Sequence, residues 1–124
     1  MDFAMSSFEA LHLAASLAAE YRAGIAQAPT TPVEDYAAVL ARFAGPVPES
    51  GADAAEIIRE LDAKARGGLR GSTAPRFFGW VIGNSHPTGV AADFLASAWG
   101  QNAANVQAAP AASAVEAAVS YTHL

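Results

Sequence analysis

Apolar side chains in the first part of the chain recur at spacings of three and four, through Phe8, Leu11, Ala14, Leu17, Ala18, Tyr21 and Ile25. That is the one-sided stripe of an amphipathic helix. Ser6 followed by Glu9 has the spacing of a capping box, so the pattern predicts a first helix from about Ser7 to Gln27. Thr31, Pro32 and Glu34 repeat the signal with a cap, a proline at the first helical position and a carboxylate that reaches back. They predict a short second helix that stops near Gly45, after which Pro46 and Pro48 impose an extended link. Asp53 and Glu56 then cap a third helix carrying Ile57, Ile58 and Leu61, which ends at Gly67 and Gly68.

The pattern changes between Leu69 and Asn84. Phe77, Phe78, Trp80, Val81 and Ile82 crowd between glycines without a helical cap, which predicts extended backbone closed by a turn at Gly83, Asn84 and Ser85. Pro87 opens a fourth helix whose Val90, Ala91, Phe94, Leu95, Ala98 and Trp99 leave little polar face. Such a helix is expected to be buried, within the chain or against a partner. Pro110 begins a fifth helix that the pattern carries only a short way.

Composition narrows the function classes. The chain of 124 residues is the size of one folding unit or of a part of a larger one. Its hydrophobic content is 52%, but much of that is alanine, which favours helix and buries little area, so a helical chain with a thin core is expected. A formal net charge of −5 opposes nucleic acid and anionic membrane as partners, since both need clustered Lys and Arg. There is no cysteine, and no apolar run approaches the roughly 20 residues of a membrane span. Without the basic start and apolar run of a signal peptide, a cytoplasmic location is the default expectation.

One ordered series of residues carries a resemblance. Pro75-Arg76-Phe77-Phe78-Gly79-Trp80-Val81-Ile82-Gly83 is followed by Pro87 and by Gly89-Val90-Ala91-Ala92-Asp93-Phe94-Leu95. Ser97-Ala98-Trp99 comes next, then Gln101-Asn102, and later Ala109-Pro110-Ala111-Ala112 with Glu116. In this order, over about Ala74 to Ala118, the series resembles the group II pyridoxal-phosphate-dependent amino-acid decarboxylases, the family of aromatic-amino-acid and glutamate decarboxylases. Ala74 stands where many relatives place a histidine before the proline, a departure that fits bacterial members.

The resemblance implies the N-terminal part of an α/β fold-type-I pyridoxal-phosphate enzyme. The chain itself would be a mainly α-helical fragment with one extended aromatic segment. It implies a helical arm over residues 1–68 that packs on the partner subunit of a homodimer, and the start of a truncated decarboxylase domain over residues 69–118. The final Val119-Ser120-Tyr121-Thr122-His123-Leu124 resembles a translated sequencing adapter, so residues 119–124 are expected to be a non-native tail.

By the same resemblance, the amino-acid substrate is bordered by Trp80, Gly83, Asn84, Ser85 and His86. Aromatic rings supply a rigid apolar wall, and a glycine turn lets backbone N–H groups approach a ligand. Gly83 falls where relatives often carry threonine, so no side-chain hydroxyl is offered there. The parent reaction removes the α-carboxylate of an amino acid with pyridoxal 5'-phosphate as electron sink. That chemistry needs a lysine to hold the cofactor, an acidic partner for the pyridine nitrogen and a ring-stacking residue. None is expected in this chain, and the fragment alone should be inactive. Its single lysine, Lys64, falls between Asp62 and Arg66 on the predicted third helix and reads as a solvated charge.

The remaining candidates read as structure. His86 is a surface or capping histidine unless it meets a substrate carboxylate, and His12 has no ligand set around it, so no metal site is expected. Arg76 reads as half of a structural ion pair, with a carboxylate of the substrate or of a partner chain as the alternative. Trp99 reads as core or dimer interface, and Asp53, Glu56 and Glu60 as a solvated face. Gly67 to Thr73 lacks the lysine and spacing of a phosphate loop and reads as a flexible connector. Two other readings compete with the decarboxylase: a parent that uses the same cofactor for transamination or oxidative deamination, and a non-catalytic helical interaction module.

Overall fold

A computed structural model of the chain describes residues 3–82, 85–102 and 105–122, with side chains over 8–82, 85–102 and 105–120. It is mainly helical, and among the described residues there is no strand. Among the described residues there are five α-helices, α1 (Phe3–Gly24), α2 (Tyr36–Phe43), α3 (Ala54–Ala65), α4 (Pro87–Trp99) and α5 (Pro110–Thr122). Short 3-10 turns at Ile25–Gln27 and Arg66–Gly68 extend α1 and α3. The chain divides into one unit over residues 1–84 and another over 85–124.

In the first unit α1 packs on α3. Glu20 of α1 meets Arg66 at the end of α3, 3.8 Å away, so the C-terminal ends of the two helices meet. Arg66 also donates from Nε to the Asp62 carboxylate at 2.6 Å, and this bond with its ion pairing raises the guanidinium pKa above its ordinary value. The α1 stripe lies half-buried at Ala10, Leu13, Ala14, Leu17 and Tyr21 and ends at Ile25. On α3, Ala55 is buried, and the alanines between the two helices, Ala14, Ala18 and Ala65, offer little apolar area to cover. α2 rests on α3 and the 3-10 turn behind it, where Glu34 N–H donates to the Gly67 carbonyl at 2.9 Å.

Several helix ends differ from the sequence expectation. α1 begins at Phe3, so Ser6 lies inside the helix and does not cap it. α2 begins after Asp35, whose carboxylate accepts from Ala38 N–H at 2.8 Å. Thr31 and Pro32 therefore precede the helix, because Glu34 is drawn away to Gly67 and to an ion pair with Arg42. Asp53 does cap α3, its Oδ1 accepting from Ala55 and Glu56 N–H at 3.0 and 3.1 Å. α3 is followed by the Gly67-Gly68 turn, as expected.

In the second unit Pro87 opens α4, and Gly100 ends it with φ of 58°. The expectation that α4 is buried within the chain is not met. Phe94 and Leu95 are exposed, and Trp99 is 62% exposed, so Trp99 is not a core residue of this chain. α5 runs further than its pattern indicated and passes Val119 and Ser120 without a break. Ala109, before its first turn, is fully buried. Ile25, Ala55 and Ala74 are the buried hydrophobic residues of the first unit among those described, which fits the thin core expected from alanine.

Candidate functional site

The aromatic segment forms no strand among the described residues, and it is not extended throughout. Residues 72–76 turn, with Ala74 N–H donating to Gly71 O and Phe77 N–H to Ala74 O, both at 3.0 Å. The segment lies on the link between α1 and α2. Gly71 N–H donates to the Pro29 carbonyl at 3.0 Å, Arg70 to the Thr30 carbonyl at 2.6 Å, and Arg76 to the Ala28 carbonyl at 3.4 Å. From α1, Arg22 donates to Thr73 Oγ1 at 2.8 Å. The stretch from Gly67 to Thr73 is thus pinned to its surroundings rather than a loose connector. Arg76 spends its described contact on a carbonyl instead of the expected ion pair.

The pinned loop sets the environment of Trp80. Its ring stands 5.9 Å from the Phe77 ring at a tilt of 57°, an edge-biased geometry favoured by the aromatic quadrupole. The Arg70 guanidinium lies 4.8 Å from the Trp80 ring centroid, within the range of a cation–π contact. Gly79 makes the bend possible, since a Cβ there would stand 2.9 Å from Phe77 Cζ. Trp80 itself has φ of 54°, a left-handed conformation that is costly for a bulky residue by about 1–3 kcal/mol. Despite its two ring partners Trp80 is 72% exposed, and Phe78 beside it is 92% exposed.

The residues expected to border the substrate fall into separate parts of the structure. Trp80 belongs to the first unit, while Ser85 and His86 belong to the second. Gly83 and Asn84, with the turn expected there, lie outside the described residues. His86 is the N-cap of α4, its Nδ1 accepting from Thr88 N–H at 3.2 Å, and Ser85 before it is half-buried. Sequence reasoning passed over Arg70, which it absorbed into the connector. Its contact with Trp80 crosses a turn, and no local spacing rule reports such a contact.

Elsewhere α1, α3 and Leu69 enclose an open groove of about 320 Å³, whose walls include Leu17, Ala18, Tyr21, Ile58 and Leu61. It is apolar apart from Asp62 and the Tyr21 hydroxyl, and it brings no acid–base pair together. Lys64 is held on the surface of α3 by Glu60 at 2.5 Å, with the Phe43 ring 5.9 Å from its amine. Lys64, paired with Glu60, does not line the α1–α3 groove, so it does not fit there as the holder of a pyridoxal ring. No cluster of three metal-ligating side chains occurs among the described residues, and among them no helix is long and apolar enough to cross a membrane. Comparison with models of protein families, with curated proteins and with solved structures finds no match to this chain.

Proposed function

We propose that the chain is the N-terminal portion of a pyridoxal-phosphate-dependent carboxy-lyase that acts on an amino acid in the cytoplasm. The observation that carries this reading is the ordered series from Pro75 to Asn102, with the helix start at Pro110 behind it. A mainly helical chain suits the arm and first elements of such an enzyme. The exposed apolar residues of both units also suit the reading, because surface of that kind is normally covered by further protein. On this proposal the arm, residues 1–68, packs on a second subunit. Trp80, Gly83, Asn84, Ser85 and His86 border the substrate side chain, and the lysine that holds the cofactor is supplied from outside this chain.

In that role Trp80 and Phe77 give a rigid apolar wall, and the Arg70 guanidinium on the Trp80 ring limits its movement. His86 fixes the first turn of α4. Pyridoxal phosphate, when bound in the whole enzyme, supplies the electron sink for loss of the carboxylate. No step of that chemistry is assigned to the residues of this chain.

The test is to read the coding DNA without interruption past the codon for Ala118 and to assay the encoded protein. The expected result is a continuing frame with a histidine-lysine cofactor motif and a product that releases CO₂ from an amino acid. Amine transfer or oxidative deamination without CO₂ would instead identify a parent with the same cofactor and different chemistry. A second reading, a helical interaction module, is favoured by the open α1–α3 groove, whose apolar walls suit the nonpolar face of a partner helix. A frame that stops near Leu124 and a monomer that melts cooperatively would support it over the enzyme.

A further inference from the structure

The chain is acidic overall, yet its acidic residues avoid one region. No Asp or Glu occurs between Glu20 and Glu34, or between Asp62 and Asp93. Within the first unit, parts of these stretches meet, because the carbonyls of Ala28, Pro29 and Thr30 receive the side chain of Arg76, the amide of Gly71 and the side chain of Arg70. Two guanidinium groups therefore stand on one short link, each bonded to a carbonyl, and the two anchoring residues lie two positions apart and so within about 7 Å of one another.

Three of the seven cations of the first unit pair with carboxylates. Arg42 pairs with Glu34, Lys64 with Glu60, and Arg66 with Glu20 and Asp62. Arg70 and Arg76 meet no carboxylate among the described residues, and their bonds are to neutral carbonyl oxygens. Each guanidinium has five donor hydrogens in a planar fork, and the bond to its carbonyl uses one of them. Arg70 is further restrained by the Trp80 ring, so little side-chain freedom remains to be lost when a ligand binds.

We propose that Arg70 and Arg76, beside Trp80, form a binding site for a compact oxyanion, a phosphate or a carboxylate. Planar guanidinium forks match the paired oxygens of either group, and both arginines can reach the same anion from carbonyl anchors on one link. The site uses only residues of the first unit, so it stands whether or not the enzyme reading holds. It also gives a reason for the left-handed Trp80: that backbone turns the ring against Arg70 and holds the guanidinium over the link.

The test uses the full chain carrying Trp99→Phe, which leaves Trp80 as its one tryptophan. Inorganic phosphate and acetate are titrated separately against it at constant ionic strength, with chloride as the reference salt. A saturable change in Trp80 emission is expected with at least one of them, and the tighter of the two identifies phosphate or carboxylate as the preferred group. R76Q, at an exposed position away from the ring, is expected to weaken binding by about tenfold, and R70Q to remove saturation. Far-ultraviolet circular dichroism checks that each variant keeps its helix content; should R70Q lose it, R76Q alone decides. An equal response to chloride, no saturation with either anion, or R76Q titrating like its parent would overturn the site.

Discussion

The guanidinium of Arg22 donates to Thr73 Oγ1 at 2.8 Å, tying the last turn of α1 to a loop 51 positions later. Thr73→Val keeps the branched shape but removes the acceptor from a part-buried donor, a change that costs about 1–3 kcal/mol. The loss should be local. Amide exchange at Gly71 and Ala74, whose N–H groups bond to Pro29 O and Gly71 O, is expected to accelerate, while α2 amides keep their rates. Parent-like exchange at both positions would mean that the Arg22 contact does not hold the loop.

A second tie joins α2 to the turn after α3. A Cβ at Gly68 would stand 2.7 Å from Val39 Cγ2, closer than real side chains pack. Gly68→Ala is therefore expected to push α2 off the turn and to destabilise the first unit by about 1–3 kcal/mol, the usual range for overpacking. Val39→Ala in the same chain makes room and should recover part of the loss. A double-mutant cycle followed by chemical denaturation measures the coupling, and simple additivity would show that the two positions do not meet.

These ties explain which parts of the fold the sequence made legible. The α3 cap was readable because Asp53 bonds to the N–H groups of Ala55 and Glu56, a contact within three residues. The α2 cap has no readable signature because the Glu34 carboxylate is engaged by Arg42 and the Glu34 N–H donates to the Gly67 carbonyl, and neither contact is local. The aromatic segment has the composition of a strand. Its hydrogen bonds go to a link between helices and to its own turns, so no ladder forms among the described residues. At the candidate site, His86 was readable as a cap from the Pro87 that follows it, whereas Arg70 against Trp80 was not.

The two aspartate caps offer a graded test. Asp53 accepts from two backbone N–H groups and Asp35 from one. Replacing either by alanine should cost on the order of 1 kcal/mol of helix stability, with the larger loss at Asp53. Circular dichroism at the helix minimum reads this directly. A larger loss of helix signal in Asp35→Ala than in Asp53→Ala would contradict the hydrogen-bond assignment.

The thin core makes a prediction about the chain as it stands. Its first unit buries only Ile25, Ala55 and Ala74 among the described hydrophobic residues, while Phe8, Leu11, Tyr36, Leu40 and Phe43 remain exposed. Such a surface is expected to bind a hydrophobic dye and to melt over a broad range rather than in one sharp transition. Calorimetry and dye fluorescence measure both. A sharp transition without dye binding would favour the interaction module over the enzyme portion.

If the proposed enzyme reading holds, Trp80 and Lys64 separate the proposed roles most cleanly in the whole enzyme. Trp80 stands on a loop held by Arg70, Phe77 and the link carbonyls, so Trp80→Ala removes the wall without touching helix packing. If it borders the substrate side chain, KM should rise or the order of preferred amino acids should change, since binding contacts are lost while the cofactor chemistry stays intact. Lys64 sits on the α3 surface beside Glu60, so Lys64→Ala should leave the pyridoxal absorbance band and turnover unchanged. Loss of that band in Lys64→Ala would overturn its assignment as a surface charge. Unchanged kinetics of Trp80→Ala across several amino acids would remove Trp80 from the substrate wall.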